Sequence, residues 1–201
     1  FDKAVECYEK AIEINPNSAE VYNNLGNAFY DLGEYQKAIS SYQSALKINP
    51  NFVGVYFNLG STFQDLDKYN EAISCYQKVI QMNPNHVATH NNLGMAFNKL
   101  NKHQEAIKCF QKAIQIEPNN LTSHWLSMNT FPVIYKNTEE INFYRNRFEN
   151  CIKKINQLLD TQTQYTKKQI IDAISSSINF YLHYQINKKV RLSHALLMIA
   201  L

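Results

Sequence analysis

The chain has 201 residues, 45% of them hydrophobic and 18% charged, with five Gly, five Pro and a net charge of +3. That length can bury a substantial core in one or two domains, and so little Gly and Pro argues against a β-rich or disordered chain. The charge is small and split, with 10 Lys/Arg against 12 Asp/Glu in residues 1–120 and 10 against 5 in 121–201, or −2 followed by +5. There is no dense basic run with interleaved aromatics, so no nucleic-acid partner is expected. Apolar runs fall short of the ~18 residues that span a bilayer, so no membrane partner is expected either. Nothing in the cysteine usage calls for an oxidising compartment, and the expected location is cytoplasmic. Phe1 falls inside a repeat, so the chain reads as a fragment at its N-terminus.

Pro16, Pro50, Pro84 and Pro118 are spaced by 34 residues each time. Between them Leu25-Gly26, Leu59-Gly60 and Leu93-Gly94 hold one place, followed by Phe29, Phe63 and Phe97. Ala38, Ala72 and Ala106 come next, then Tyr42, Tyr76 and Phe110. Glycine lets two helices approach closely, the aromatic ring fills the space between them, alanine permits the crossing and proline ends the unit. A period of 34 with these residues at these offsets resembles the tetratricopeptide (TPR) family over residues 2–118. The resemblance implies an all-α, right-handed superhelix of antiparallel helix pairs, here half a repeat, "DKAVECYEKAIEINP", and three complete ones. The solenoid is placed at 1–120, a helical cap or linker at 121–185, and a tail of uncertain structure at 186–201.

Within this frame Cys7, Cys75 and Cys109 occupy one place on the second helix, where the remaining repeat has Ser41, and a small residue packed between helices accounts for them. His86 and His90 are the single i,i+4 histidine pair; His86 falls in a turn and His90 replaces Tyr22 and Tyr56 at an aromatic packing position. No catalytic residue, metal site or cofactor motif stands out, and the chain is not read as an enzyme.

Beyond Pro118 the repeat dissolves: Met128 stands where glycine is due, and Phe131-Pro132 breaks the frame. Asn137 and Glu140 form a capping-box pair, and Ile141, Tyr144, Phe148, Ile152, Ile155 and Leu159 make one apolar helical stripe. After the polar "TQTQYT", Ile170, Ile171, Ile174, Ile178 and Leu182 mark another helix. Such a pair would close the apolar end of a solenoid. The runs "EEINFYRNRF" and "NFYLHYQ" resemble the connecting region of bacterial O-linked N-acetylglucosamine transferase (SPINDLY-like) proteins over about residues 121–185. That resemblance implies a protein glycosyltransferase whose two nucleotide-sugar lobes are absent here. The sequence departs from it after Gln185, and a truncation or frameshift near Lys188 would explain the end.

Asn24, Asn58 and Asn92 sit at the sixth position of the first helix in all three complete repeats. Asparagine is a poor interior helix former, and this position faces the concave side of the solenoid. The transferase resemblance implies an asparagine ladder there that grips the backbone of extended polypeptides or acceptor proteins. A primary amide both donates and accepts, so it suits a backbone of any sequence. Asn27 and Ser61 are placed on the same face, the ladder amides are expected to be solvated, and Asn23 and Asn91 are expected to lie off the row. The composition offers a plainer source, since 25 of the residues are Asn. The alternative is a TPR scaffold or a co-chaperone-like adaptor that clamps a C-terminal carboxylate. Asn27 and Asn58 match the amide places of that clamp, but its cationic places hold Asn23, Ala88 and Asn92, and an uncharged site desolvates a carboxylate for little return.

With no parallel-sheet domain or diphosphate-binding helix N-terminus expected, the chain should give no specific heat of binding with UDP- or GDP-sugars in calorimetry. A saturable titration would overturn the reading of a chain without its catalytic lobes.

Overall fold

The structure, a computed structural model, describes residues 2–132 and 135–161. Its helices are α1 (Asp2–Ile14), α2 (Ala19–Asp31), α3 (Tyr35–Ile48), α4 (Val53–Asp65), α5 (Tyr69–Met82), α6 (Val87–Lys99), α7 (His103–Ile116), α8 (Leu121–Met128) and α9 (Thr138–Thr161). No strand occurs among the described residues, and no helix there is long and apolar enough to cross a membrane. The chain divides after Pro118 into two compact units.

In the first unit each repeat is a helical hairpin: α2 packs on α3, α4 on α5 and α6 on α7. Its inner surface is built from the periodic residues. Ala38, Ala72 and Ala106 are fully buried at the crossings, and Tyr42, Tyr76 and Phe110 are buried beside them. A β-carbon on Gly26 would lie 2.5 Å from the Tyr42 ring, on Gly60 2.7 Å from Tyr76, and on Gly94 2.6 Å from Phe110. Glycine is required there because the ring occupies the space a side chain would take. The expected small-residue place on the second helix holds in part. Ser41 and Cys75 are buried and Cys109 is half-buried, whereas Cys7 on α1 is exposed. Burial pushes the Cys75 and Cys109 thiols up to about 11, which keeps them protonated and unreactive at neutral pH.

The turn inside each hairpin also repeats. Gly33, Asp67 and Asn101, 34 apart, take positive φ of 75°, 58° and 58°. The following residue donates its N–H back to the last turn: Glu34 to Phe29 O (2.8 Å), Lys68 to Phe63 O (2.8 Å) and Lys102 to Phe97 O (2.9 Å). Gly33, Asp67 and Asn101 donate to Tyr30, Gln64 and Asn98 carbonyls at 2.9–3.0 Å. This is the Schellman arrangement, filled by the three residue types that tolerate a left-handed backbone. First helices start on a capping residue one period apart. Ser18 Oγ, His86 Nδ1 and Asn120 Oδ1 accept the N–H of Val21, Thr89 and Ser123, while Phe52 makes no such bond. His86 is therefore a helix cap, and His90 is buried with Nε2 2.8 Å from Pro84 O.

Along the array α2 touches α4 and α4 touches α6, whereas α3, α5 and α7 do not touch one another. The first helices therefore line the concave side and the second helices the convex side.

The second unit pairs α8 with α9. Met128 is almost completely buried at the place where the repeats have glycine. Asn137 caps α9 through Glu140 N–H (2.8 Å), while the Glu140 carboxylate reaches Lys136 N–H (2.6 Å), one residue earlier than a capping box would place it. Of the expected stripe, Tyr144 and Phe148 are buried and Ile152 is half-buried, but Ile141 is 37% exposed. Ile155, Leu159 and the helix expected at 170–182 lie outside the described side chains and residues. Arg147 was no part of the expected stripe, yet it is half-buried and its guanidinium donates to Ser127 O, Thr130 O and Ser127 Oγ (3.2 Å). It also lies 5.7 Å from the Phe131 ring centre and 5.4 Å from that of Tyr144. A planar cation thus ties the C-terminal carbonyls of α8 to α9.

Two outcomes follow for denaturation and exchange. Gly94→Ala should destabilise by about 1–3 kcal/mol, because overpacking against Phe110 outweighs the helical preference for alanine of up to ~1 kcal/mol. Combined with Phe110→Leu its effect should be less than additive, whereas Gly33→Ala, whose added β-carbon meets nothing within 4 Å, should add independently. Arg147→Leu should leave the Ser127 and Thr130 carbonyls unpaired at about 1–3 kcal/mol per buried acceptor. Hydrogen exchange should then show α8 and α9 amides losing protection while those of α2–α7 keep theirs.

Candidate functional site: the concave groove

The three ladder positions fall at the sixth residue of α2, α4 and α6, as their spacing requires, on the helices that line the concave side. Asn24 is exposed and Asn58 and Asn92 are half-buried. They do not form a row of free amides. Asn58 Nδ2 donates to Asn23 Oδ1 at 3.1 Å and to Asn27 Oδ1 at 3.0 Å, linking the first and second complete repeats. Asn23 Nδ2 in turn reaches Asn24 Oδ1 at 3.4 Å. Asn92 Nδ2 lies 3.4 Å from the Tyr76 hydroxyl of the preceding repeat.

This corrects two expectations. Asn58 is not simply solvated, because both of its N–H groups are spent inside the protein. Asn23 is not off the row, since it accepts from Asn58, whereas Asn91 is buried. The physical reason is inter-repeat spacing: neighbouring first helices touch, so an amide on one reaches amides on the next.

The floor of the groove comes from the second helices. Tyr42 lies almost wholly buried against Gly26, and its hydroxyl emerges at the next residue, donating to Asn27 Oδ1 at 2.8 Å. Tyr76 repeats this against Gly60, with its hydroxyl 3.4 Å from Ser61 Oγ and 3.3 Å from Gln64 Oε1. In the third repeat Phe110 carries no hydroxyl, and Met95 stands in the place of Asn27 and Ser61. Polar aromatic thus pairs with polar partner, and apolar with apolar. Burial raises the phenols of Tyr42 and Tyr76, the latter to about 12 against the opposing pull of its bonds to Ser61 and Asn92, so both stay protonated. Sequence reasoning placed Asn27 and Ser61 on this face but missed Tyr42, Tyr76 and Asn23. The Tyr-to-Phe change, in step with Asn/Ser-to-Met one residue after the glycine, is the signal that could have found the tyrosines.

The central row Asn23, Asn24, Asn27, Asn58, Ser61 and Asn92 carries no charge. Phe57 stands beside it, its ring 5.2 Å from that of His86 and 6.1 Å from that of Tyr76. No group of His, Cys, Asp or Glu suited to a metal ion occurs among the described residues. Chemically, the groove offers amide and hydroxyl hydrogen bonds next to an aromatic face.

The comparisons agree with this architecture. A TPR repeat model matches residues 1–33 and 26–67, and a tetratricopeptide repeat model matches 53–86 and 87–120, together spanning more than half of the chain. No curated protein matches the sequence. Among solved structures, a crystal structure of MamA is similar with a TM-score of 0.72 at 24% identity, over 82% of this chain and 92% of that one. The Arabidopsis OM64 TPR domain is similar with a TM-score of 0.52 at 28% identity, over 54% of this chain and 90% of that one. The first TPR of Spaghetti (RPAP3), bound to an HSP90 peptide, gives a TM-score of 0.50 at 22% identity, over 66% of this chain and 92% of that one. The period of 34, the glycine-to-ring contact in every hairpin and the matched models lead to one statement: the chain belongs to the tetratricopeptide repeat family.

Proposed function

We propose that the concave groove is a binding site for extended, uncharged polypeptide segments, gripped through their backbone by Asn24, Asn27, Asn58, Ser61 and Asn92. The observation that carries this reading is the continuous set of amides and hydroxyls along the first helices, with no charge in the central row. Backbone N–H and C=O groups must be paired wherever water is displaced, and amides supply both complements whatever the side chains. A peptide-bound TPR domain among similar structures is in keeping with a polypeptide partner. A carboxylate clamp is a poorer fit, because Asn23, Ala88 and Asn92 supply no cation to offset the desolvation of a terminal carboxylate.

The finer reading is the substrate-recognition arm of a protein O-glycosyltransferase. It rests on the resemblance of residues 121–185 alone, and none of the similar structures named above is a glycosyltransferase. A scaffold for protein assembly would use the same groove.

The asparagines separate binding from folding. Asn24→Ala should leave stability unchanged or raise it by up to ~0.7 kcal/mol. Asn58→Ala should lower stability by about 1–2 kcal/mol, because it removes two inter-repeat hydrogen bonds. In Asn24→Ala/Asn58→Ala/Asn92→Ala, peptide affinity should fall on the order of tenfold to thousandfold at a temperature where the variant remains folded, at roughly 0.5–1.5 kcal/mol per lost bond. Unchanged peptide titrations with the folded triple variant would remove the groove from the reading.

A further inference from the structure

We infer that the Tyr42 hydroxyl sets the hydrogen-bonding polarity of the groove, and with it the direction in which an extended polypeptide lies there. The inference rests on the groove being a polypeptide site, and it names what orients the ligand.

Asn27 Oδ1 receives two hydrogen bonds, from the Tyr42 hydroxyl at 2.8 Å and from Asn58 Nδ2 at 3.0 Å, which fills both of its lone pairs. Its NH2 group has no further partner among the described residues and stays a pure donor towards a ligand. Asn58 is the reverse. Both of its N–H groups are spent, on Asn27 and on Asn23 (3.1 Å), so its Oδ1 is a pure acceptor. Tyr42 breaks the symmetry that two flippable amides would otherwise have. A phenol is a better donor than acceptor because its lone pair is delocalised into the ring, and this one is buried in a hairpin that cannot rotate it away. Were Asn27 flipped alone, its N–H would face the Asn58 N–H, and the hydroxyl would have to turn its proton from Asn27 towards Thr62, its other neighbour. Asn92 repeats the sense one period on, with Nδ2 turned to the Tyr76 hydroxyl.

A donor on the first complete repeat and an acceptor on the second mimic one residue of an antiparallel strand edge, which exchanges both its N–H and its C=O with one partner residue. A ligand residue would place its N–H on Asn58 and its C=O on Asn27. Within a residue the N–H precedes the C=O, so the bound segment runs with its N-terminus towards α6 and its C-terminus towards α2.

The test uses the whole chain and an uncharged peptide of serine, threonine and proline, carrying a nitroxide at one end or the other. With the native protein, the N-terminal label should broaden backbone amide resonances of α6 and the C-terminal label those of α2. Tyr42→Phe keeps the ring that packs on Gly26; it should broaden both ends with either label and lower affinity about two- to tenfold, the worth of one polar hydrogen bond. Broadening of both ends by the native protein, a reversed direction, or an unchanged pattern in Tyr42→Phe would overturn the inference. In the unliganded proteins, the side-chain amide resonances of Asn27 and Asn58 should shift and broaden in Tyr42→Phe. If the native protein binds no peptide, the polypeptide reading falls, and those resonances decide the role of Tyr42 separately: movement supports it and no movement refutes it.

Discussion

In each complete repeat an aromatic ring from the second helix lies where the first helix would carry a β-carbon, and the rest of the solenoid depends on that contact. Because Gly26, Gly60 and Gly94 have no side chain, the rings of Tyr42, Tyr76 and Phe110 can lie directly on the backbone of the first helix. The hairpin is thereby drawn close enough that alanine is accommodated at Ala38, Ala72 and Ala106, each without exposed surface. Dispersion and apolar burial both grow with that proximity. Stacked hairpins of this shape bring first helices together and hold second helices apart, and a concave groove results.

The same contact supplies the groove with its chemistry. A tyrosine that packs on the glycine carries its hydroxyl past the first helix and delivers it at the following residue, Asn27 or Ser61. Structural packing and groove polarity therefore share a side chain, and changes at Tyr42 or Tyr76 divide cleanly by atom: the ring holds the hairpin and the hydroxyl orients amides. Coupling between repeats runs through polar groups as well. Asn58 bridges to Asn23 and Asn27, and the Tyr30 hydroxyl meets the Asp65 carboxylate of the next repeat. In a nearest-neighbour solenoid such bonds add interface energy along with specificity.

The second unit shows what happens when the contact is lost. Met128 fills the place of glycine with its own side chain, so no ring can lie on the backbone there. The first-helix pattern persists only through α8, from its Asn120 cap to Met128, and α9 takes over with a different device. Arg147 covers the carbonyls at the end of α8, a task that apolar packing cannot perform, since buried C=O groups need donors.

The residue pattern alone sets the hairpins, their period and their inward faces, because glycine, alanine, aromatic and proline positions impose local geometry and local periodicity. It also placed Asn24, Asn58 and Asn92 on one line, since that needs only helical phase and a repeat length. The left-handed turn residues Asp67 and Asn101 repeat Gly33 in conformation but not in residue type, so the period was visible there and the turn was not. Which amides are spent and which way they point depends on how the helices pack against one another. A hydrogen bond between Asn58 and Asn23, or between Tyr42 and Asn27, depends on distances between helices that no single helix encodes. The exposure of Ile141 and the half-burial of Arg147 have the same cause. A stripe read at helical spacing says which residues share a face, and only the partner helix, with its carbonyls needing donors, decides which residue that face buries.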